Sequence, residues 1–426
     1  MDEAEEDKAP GLRRALGLGD AVGIGFGAIV GAGIFVVTGI AAGVAGPALL
    51  LALPLAGAAA AANALSSAEL AARYPQAGGT YEYGRRVLHP WAGFAAGWMF
   101  LASKTAAAGA VGLGIAAYLE RVAPGVPGRA LALAAIALFT AVNALGVKKS
   151  SAANLAIVLV STATLAAFAV IAGLRFDAGK LRPFAPAGAG GVLRAAALLF
   201  FAYTGYARIA TLGEEVREPR RTIPRAILIT VSSVSLLYFA VALAAVGAGG
   251  TAAMARSDAP LAEVAREMGM PALEAAVSAG AVCAMLGVLL SQLLGLSRMV
   301  FAMARGGDLP GWLAGVDEAT GTPRRAVLLV GAAAAAAAAF GTLRAVAPAA
   351  SFAILLYYAV ANLSALRMPR DAKLYPDAAP AAGLAACLLL AASLPPRTAV
   401  AGVAVLAAGF VFRALTRGLA RRERGG

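Results

Sequence analysis

The sequence predicts an all-α membrane protein with twelve transmembrane helices, and three observations carry that reading. Hydrophobic residues make up 60% of the 426-residue chain against 14% charged, with a mean hydropathy of +0.78. Apolar runs near the roughly 20 residues of one bilayer crossing recur along its whole length. The lysines and arginines concentrate in alternate loops between those runs, as the positive-inside rule describes. The same facts exclude other classes. A net charge of +13 is spread over loops rather than gathered into a patch, so topology explains it and no nucleic acid is expected as a partner. Cys283 and Cys387 both lie in apolar runs and His89 is the single histidine, which leaves no disulfide framework, no metal cluster and no cofactor to expect. The opening MDEAEEDKAP is acidic and lacks an apolar core, so it is not a secretory signal peptide.

The twelve spans fall at about 20–43, 47–71, 91–119, 129–147, 150–174, 191–212, 223–246, 271–303, 326–343, 346–366, 380–394 and 398–416. With the first residue placed in the cytoplasm, inner segments hold 23 of the 36 basic residues and outer segments hold ten. Both termini are therefore expected to be cytoplasmic.

The first span contains VGIGFGAIVGAGIF, with glycine at 23, 25, 27, 31 and 33. Glycine in a helix interior costs roughly 1 kcal/mol relative to alanine. Such a segment either packs very closely on a neighbour, as a small-residue face, or comes unwound around Gly31-Ala32-Gly33. Unpaired backbone at membrane depth is tolerable only where it lines a cavity. The sixth span, LFFAYTGYARI, carries Thr204-Gly205 among Phe200, Phe201, Tyr203 and Tyr206. Alone it reads as a helix with an aromatic packing stripe. Paired with the first span it suggests two five-span inverted repeats, each opening with a broken helix.

Four motifs in order, GAIVGAGIF, ARYPQAGGTYEY, FFAYTGYARIATLGEEVREPRRTIPRAI and GLSRMVFAMARGGDLP, resemble the amino acid–polyamine–organocation transporters. The resemblance runs from Asp20 to about Pro323 and is closest to amino acid permeases. It implies a five-plus-five inverted-repeat core with broken first and sixth helices, plus two C-terminal helices. The parts would be an N-terminal tail (1–18), a core (19–366, with repeats 19–174 and 191–366), two further helices (367–416) and a basic tail (417–426). It also implies an amino acid held between the two breaks and moved by alternating access.

Such a substrate brings a carboxylate and an ammonium, whose waters must be replaced by fixed partners. The N–H groups of Ala32, Gly33 and Ile34, opening the second half-helix, suit the carboxylate. The carbonyls of Ile29, Phe201, Ala202 and Thr204 suit the ammonium. In the resembling family the position of Phe201 is an aromatic that closes over the substrate, a role Tyr203 or Tyr206 can share. Backbone recognition of this kind accepts any α-amino acid.

Coupling is where the chain departs from its look-alikes. The fifth-span lysine of proton-coupled members aligns with Ser161, and the acid that some exchangers carry after the sixth-span break aligns with Ala207. Ser161 and Thr162, with Ser278 or Ser291, are candidates for a sodium site, though such hydroxyls more often bond back to the preceding helical turn. Lys104 is the alternative, for proton coupling or gating: it lies mid-span in WMFLASKTAAAGAVG, where charge is costly and commonly functional. Proton or sodium is thus the expected coupling ion. Arg208 is read either as a gate or as a partner of Glu214 or Glu215, and Arg298 as a cap on the inner end of the eighth span. Residues 75–83 are expected to form part of the inner gate. Glu214, Glu215 and Glu218 would pair with Arg217, Arg220 and Arg221. The run 261–268 would form a short helix over the outer entrance, and the last two spans serve as scaffold or oligomer contacts.

The function expected is secondary transport of amino acids across a plasma membrane, with the alanine- and arginine-rich composition and short termini pointing to a bacterium. Partners are the substrate and the lipid bilayer, with the oligomeric state open. An exchanger or an amine or polyamine carrier of the same fold is the near rival. A sensor that binds amino acids without moving them is the distant one. An enzyme is not expected, since no mid-membrane acid pair or nucleophile–base set is present.

Overall fold

The computed structural model describes residues 16–74, 78–123, 125–146, 151–210 and 216–425. Helices follow one another in the order α1 (Leu18–Ile29), α2 (Thr38–Ala45), α3 (Leu49–Arg73), α4 (Thr80–Tyr83), α5 (Pro90–Val122), α6 (Gly128–Ala144), α7 (Ser151–Gly173) and α8 (Gly188–Phe200). Then come α9 (Ala207–Ala210), α10 (Pro219–Arg256), α11 (Pro260–Glu267), α12 (Pro271–Arg305), α13 (Arg324–Phe340), α14 (Leu343–Leu366), α15 (Ala378–Ser393) and α16 (Pro396–Gly425). Among the described residues there is no strand, only an isolated bridge from Leu16 to Val216 that ties the segment before α1 to the one before α10.

Among the described residues eight stretches are long and apolar enough to cross a membrane, the first of them containing α1 to α3, and α6 and α15 are shorter apolar helices. Proline caps explain several starts: α5, α10, α11 and α12 all carry proline in their first turn, where no N–H is missed. The helix over 219–256 outruns its sequence-expected span because it continues beyond the membrane-length segment through a kink at Gly250 (φ 78°, ψ 159°).

Burial separates interior from periphery. Buried residues make up 78% of the most apolar part of the Leu18–Arg73 stretch but 11% of that in α16, so the opening stretch lies toward the centre and the last helix on the outside. Around that centre α5 packs on α12 and α14, α10 packs on α1, α2 and α3, and α8 packs on α2 and α3. The amphipathic run expected over the outer entrance is the helix α11, whose residues Pro260–Ala265 are buried.

Candidate functional site

The first span does break. α1 ends at Ile29, and Val30 adopts an extended conformation (φ −72°, ψ 106°). The chain then resumes as a π-helical turn over Gly33–Val37 leading into α2. The N–H groups of Ala32, Gly33 and Ile34 stand at the head of that resumed helix, where no preceding turn offers acceptors. The second interruption differs from expectation. Residues Phe201–Tyr206 do not unwind; they tighten into a 3₁₀ helix between α8 and α9. A single glycine within an aromatic run lets the helix narrow without opening it.

These two segments touch through bare backbone. A Cβ placed on Gly33 would lie 2.3 Å from the Cβ of Ala202 and 2.4 Å from its Cα, and one on Gly205 would lie 2.1 Å from the carbonyl oxygen of Ala28. All eight predicted binding residues are buried, from Ile34 and Tyr203 at 0% exposure to Phe201 at 8%. The fold gathers these residues at one buried centre.

Three of the four carbonyls expected to be free are engaged. Ile29 accepts from the Tyr238 hydroxyl (3.0 Å), Phe201 from the Thr204 hydroxyl (3.0 Å) and Thr204 from the Tyr358 hydroxyl (3.4 Å). Buried carbonyls released from a helix must find donors, and here two tyrosine hydroxyls and one threonine hydroxyl supply them. Tyr203 packs at 5.6 Å from the Tyr238 ring, and Tyr206 at 5.3 Å from the Tyr358 ring. Sequence reading missed Tyr238 and Tyr358; each is a hydroxyl set in an otherwise apolar run, which is the signal that marks them.

Lys104 reaches this centre from α5: its ammonium donates to the Thr204 hydroxyl at 2.9 Å, and its own carbonyl accepts from Gln292 of α12 at 2.6 Å. Among the described residues no carboxylate pairs with it. The sodium candidates divide. Ser161 bonds back to Ile157 (2.7 Å) and Val158 (3.1 Å), whereas the hydroxyls of Thr162 and Ser278 are buried without a partner among the described residues, and Ser291 is partly buried on α12. Arg208 follows the tightened segment in α9, partly buried; Glu214 and Glu215 lie outside the described residues. Glu218 pairs with Arg221 at 3.7 Å, both highly exposed, a contact of little energetic weight. Arg298 does not cap α12: it is exposed and makes no ion pair among the described residues, because the helix runs on to Arg305.

Ion-pair clusters lie at both ends. At one end the buried Asp308 accepts from Arg413 (2.7 Å), Arg417 (2.9 Å) and the Tyr81 hydroxyl (2.9 Å). The Arg413 guanidinium lies over Trp91 and Phe94 at 4.4 and 5.1 Å. Burial, and then the Asp308 charge, push the Tyr81 hydroxyl up from its ordinary value. Tyr81 belongs to the segment expected to help form the inner gate, of which residues 78–83 are described. At the opposite end Arg121 of α5 holds Glu263 of α11 (2.6 Å) and Glu274 of α12 (3.5 Å), and Tyr118 donates to the carbonyl of Phe35 (2.6 Å). Burial pushes the Glu263 carboxyl up, but Arg266 and Arg121 outweigh it and hold it below the usual carboxylate value. A cavity of about 420 Å³ opens there between Arg121, Arg256, Arg266, Glu120, Asp258 and Glu263.

Comparison with known proteins assigns the scaffold. The family model described as amino acid permease matches residues 20–418. An uncharacterized transporter of Mycobacterium tuberculosis is 45% identical over 90% of this chain and 87% of its own. The methylthioribose transporter of Bacillus subtilis is 31% identical over 78% of this chain and 76% of its own, and the branched-chain amino acid permease BcaP of the same organism 30% identical over 67% and 66%.

Proposed function

The chain belongs to the amino acid permease family, and from that premise we propose that it carries amino acids across a bacterial plasma membrane by alternating access. The observation that carries this reading is the contact of Gly33 with Ala202: two interrupted helices, from opposite halves of the chain, meet backbone to backbone at the buried centre. In the proposed cycle the Ala32–Ile34 N–H groups take the carboxylate. The ammonium displaces the hydroxyls now on the Ile29 and Phe201 carbonyls, and Phe201, with Tyr203 or Tyr206, closes over the substrate.

The twelve-span, five-plus-five arrangement belongs to the same proposal, and partner exchange supports it. The first-span helices α1 and α2 pack on α10 as the sixth-span helix α8 packs on α3. Helix α5 packs on α14 as α12 packs on α7. Both termini are cytoplasmic on this reading, and Lys104 or the Thr162 and Ser278 hydroxyls serve coupling, to protons or to sodium respectively.

The test is uptake of labelled amino acids into proteoliposomes under a proton gradient, a sodium gradient, or neither, with methylthioribose as a substrate lacking a carboxylate. Gradient-driven accumulation of an amino acid supports the proposal, and entry only against preloaded substrate makes the protein an exchanger. Binding without entry makes it a sensor, and uptake of methylthioribose alone overturns the carboxylate scheme.

A further inference from the structure

Lys104 stands beside the proposed substrate site. Its ammonium meets the Thr204 hydroxyl, and that hydroxyl sits 3.0 Å from the Phe201 carbonyl. Phe201 and Thr204 flank Ala202, the residue on which Gly33 rests. The lysine is partly buried and Thr204 is 4% exposed, so the contact lies inside the protein rather than at its surface. Gln292 grips the Lys104 carbonyl from α12 and so fixes the turn from which the side chain extends. Among the described residues Lys104 makes no ion pair. Three acids near the membrane ends have other partners: Glu69 accepts the N–H groups of Leu374 and Tyr375, Asp308 holds Arg413, and Glu263 holds Arg121.

We propose that Lys104 is a charge filter for the substrate site: it admits amino acids with neutral or anionic side chains and rejects those carrying a second cation, together with amines and polyamines. This rests on the transport site proposed above. A zwitterion brings no net charge to the lysine, because its carboxylate offsets its ammonium. A cationic side chain has no such offset, and an amine lacks the carboxylate altogether. Like charges within one interior site repel strongly, since screening there is far weaker than in water. The expected penalty is about 30-fold in Kd, roughly 2 kcal/mol at 1.4 kcal/mol per tenfold.

The experiment is displacement of labelled leucine from the purified full chain by unlabelled isoleucine, glutamate, arginine and spermidine, for the wild type, Lys104→Met and Lys104→Arg. The wild type is expected to bind arginine at least about 30-fold more weakly than isoleucine, and spermidine more weakly still. Lys104→Met narrows the arginine gap to within about threefold, while Lys104→Arg keeps it. Equal competition by arginine and isoleucine in the wild type overturns the filter, as does a Lys104→Met variant that weakens every ligand alike. Binding is read without transport, so a protein that binds leucine but carries nothing still reports on the filter. A protein that binds none of these compounds overturns both proposals together.

Discussion

The two interrupted segments do the same thing by different means. At Val30 the backbone leaves the helix outright, and the carbonyl of Ile29 is capped by a tyrosine from α10. At Phe201–Tyr206 the helix only narrows, and the Thr204 hydroxyl, from the next turn, covers the Phe201 carbonyl. The first segment spends five glycines and the second one. What they share is a glycine set against partner backbone, Gly33 on Ala202 and Gly205 on Ala28. Opening a helix and letting two helices touch are therefore separable uses of glycine. In this molecule the second use is common to both segments.

The largest expected effect follows from that contact. Gly33→Leu should lower amino-acid uptake by about 100-fold or more while the protein still reaches the membrane, because its Cβ alone collides with Ala202 backbone. Normal uptake by this variant would break the comparison at its centre. Gly205→Ala tests the tightened side: overpacking costs roughly 1–3 kcal/mol, and the Ala28 carbonyl cannot swing aside as a side chain would. A loss near 3 kcal/mol in denaturant unfolding is the expected outcome, and a neutral variant would show the 3₁₀ segment to be pliable.

Tyr238→Phe sharpens the contrast in the other direction. It removes one hydrogen bond, worth about 1 kcal/mol of stability, and leaves the Ile29 carbonyl for a substrate ammonium. Binding by the variant should therefore tighten, by about fivefold, in the same displacement assay. Tyr358→Phe, acting on a longer bond at the tightened segment, should move it less.

The smallest effect lies away from both segments. Glu263 is held below its usual value of 4.5 by Arg266 and Arg121. A carboxyl with a depressed folded value contributes stability above its unfolded value and loses it as pH falls. The α11 cluster should loosen as pH drops below about 4.5, seen as faster amide exchange in α11, and Glu263→Gln should remove that dependence. Exchange at the two interrupted segments should not follow it.

Much of the centre is legible in the sequence because its signals are local. Five glycines within an apolar run mark a segment that packs closely or unwinds, and a lysine in the middle of a span marks a costly charge. The sixth-span segment is less legible, since one glycine among aromatics fits opening and tightening equally. Arg298 misleads for a related reason: composition does not say where a long helix stops. The knot of Asp308 with Tyr81, Arg413 and Arg417 is invisible in any single stretch, since it draws on three segments far apart in the chain.

The membrane class and the helical character were legible in the sequence alone, with the first-span glycines and the mid-span lysine marked as unusual, because hydropathy, glycine spacing and a stranded charge act over one or two helical turns. Which groups meet was decided by the tertiary structure: Lys104 with Thr204 across 100 residues, Tyr238 with Ile29 across 209. A buried donor or acceptor must be satisfied by whatever the fold carries to it, and no local pattern encodes that partner.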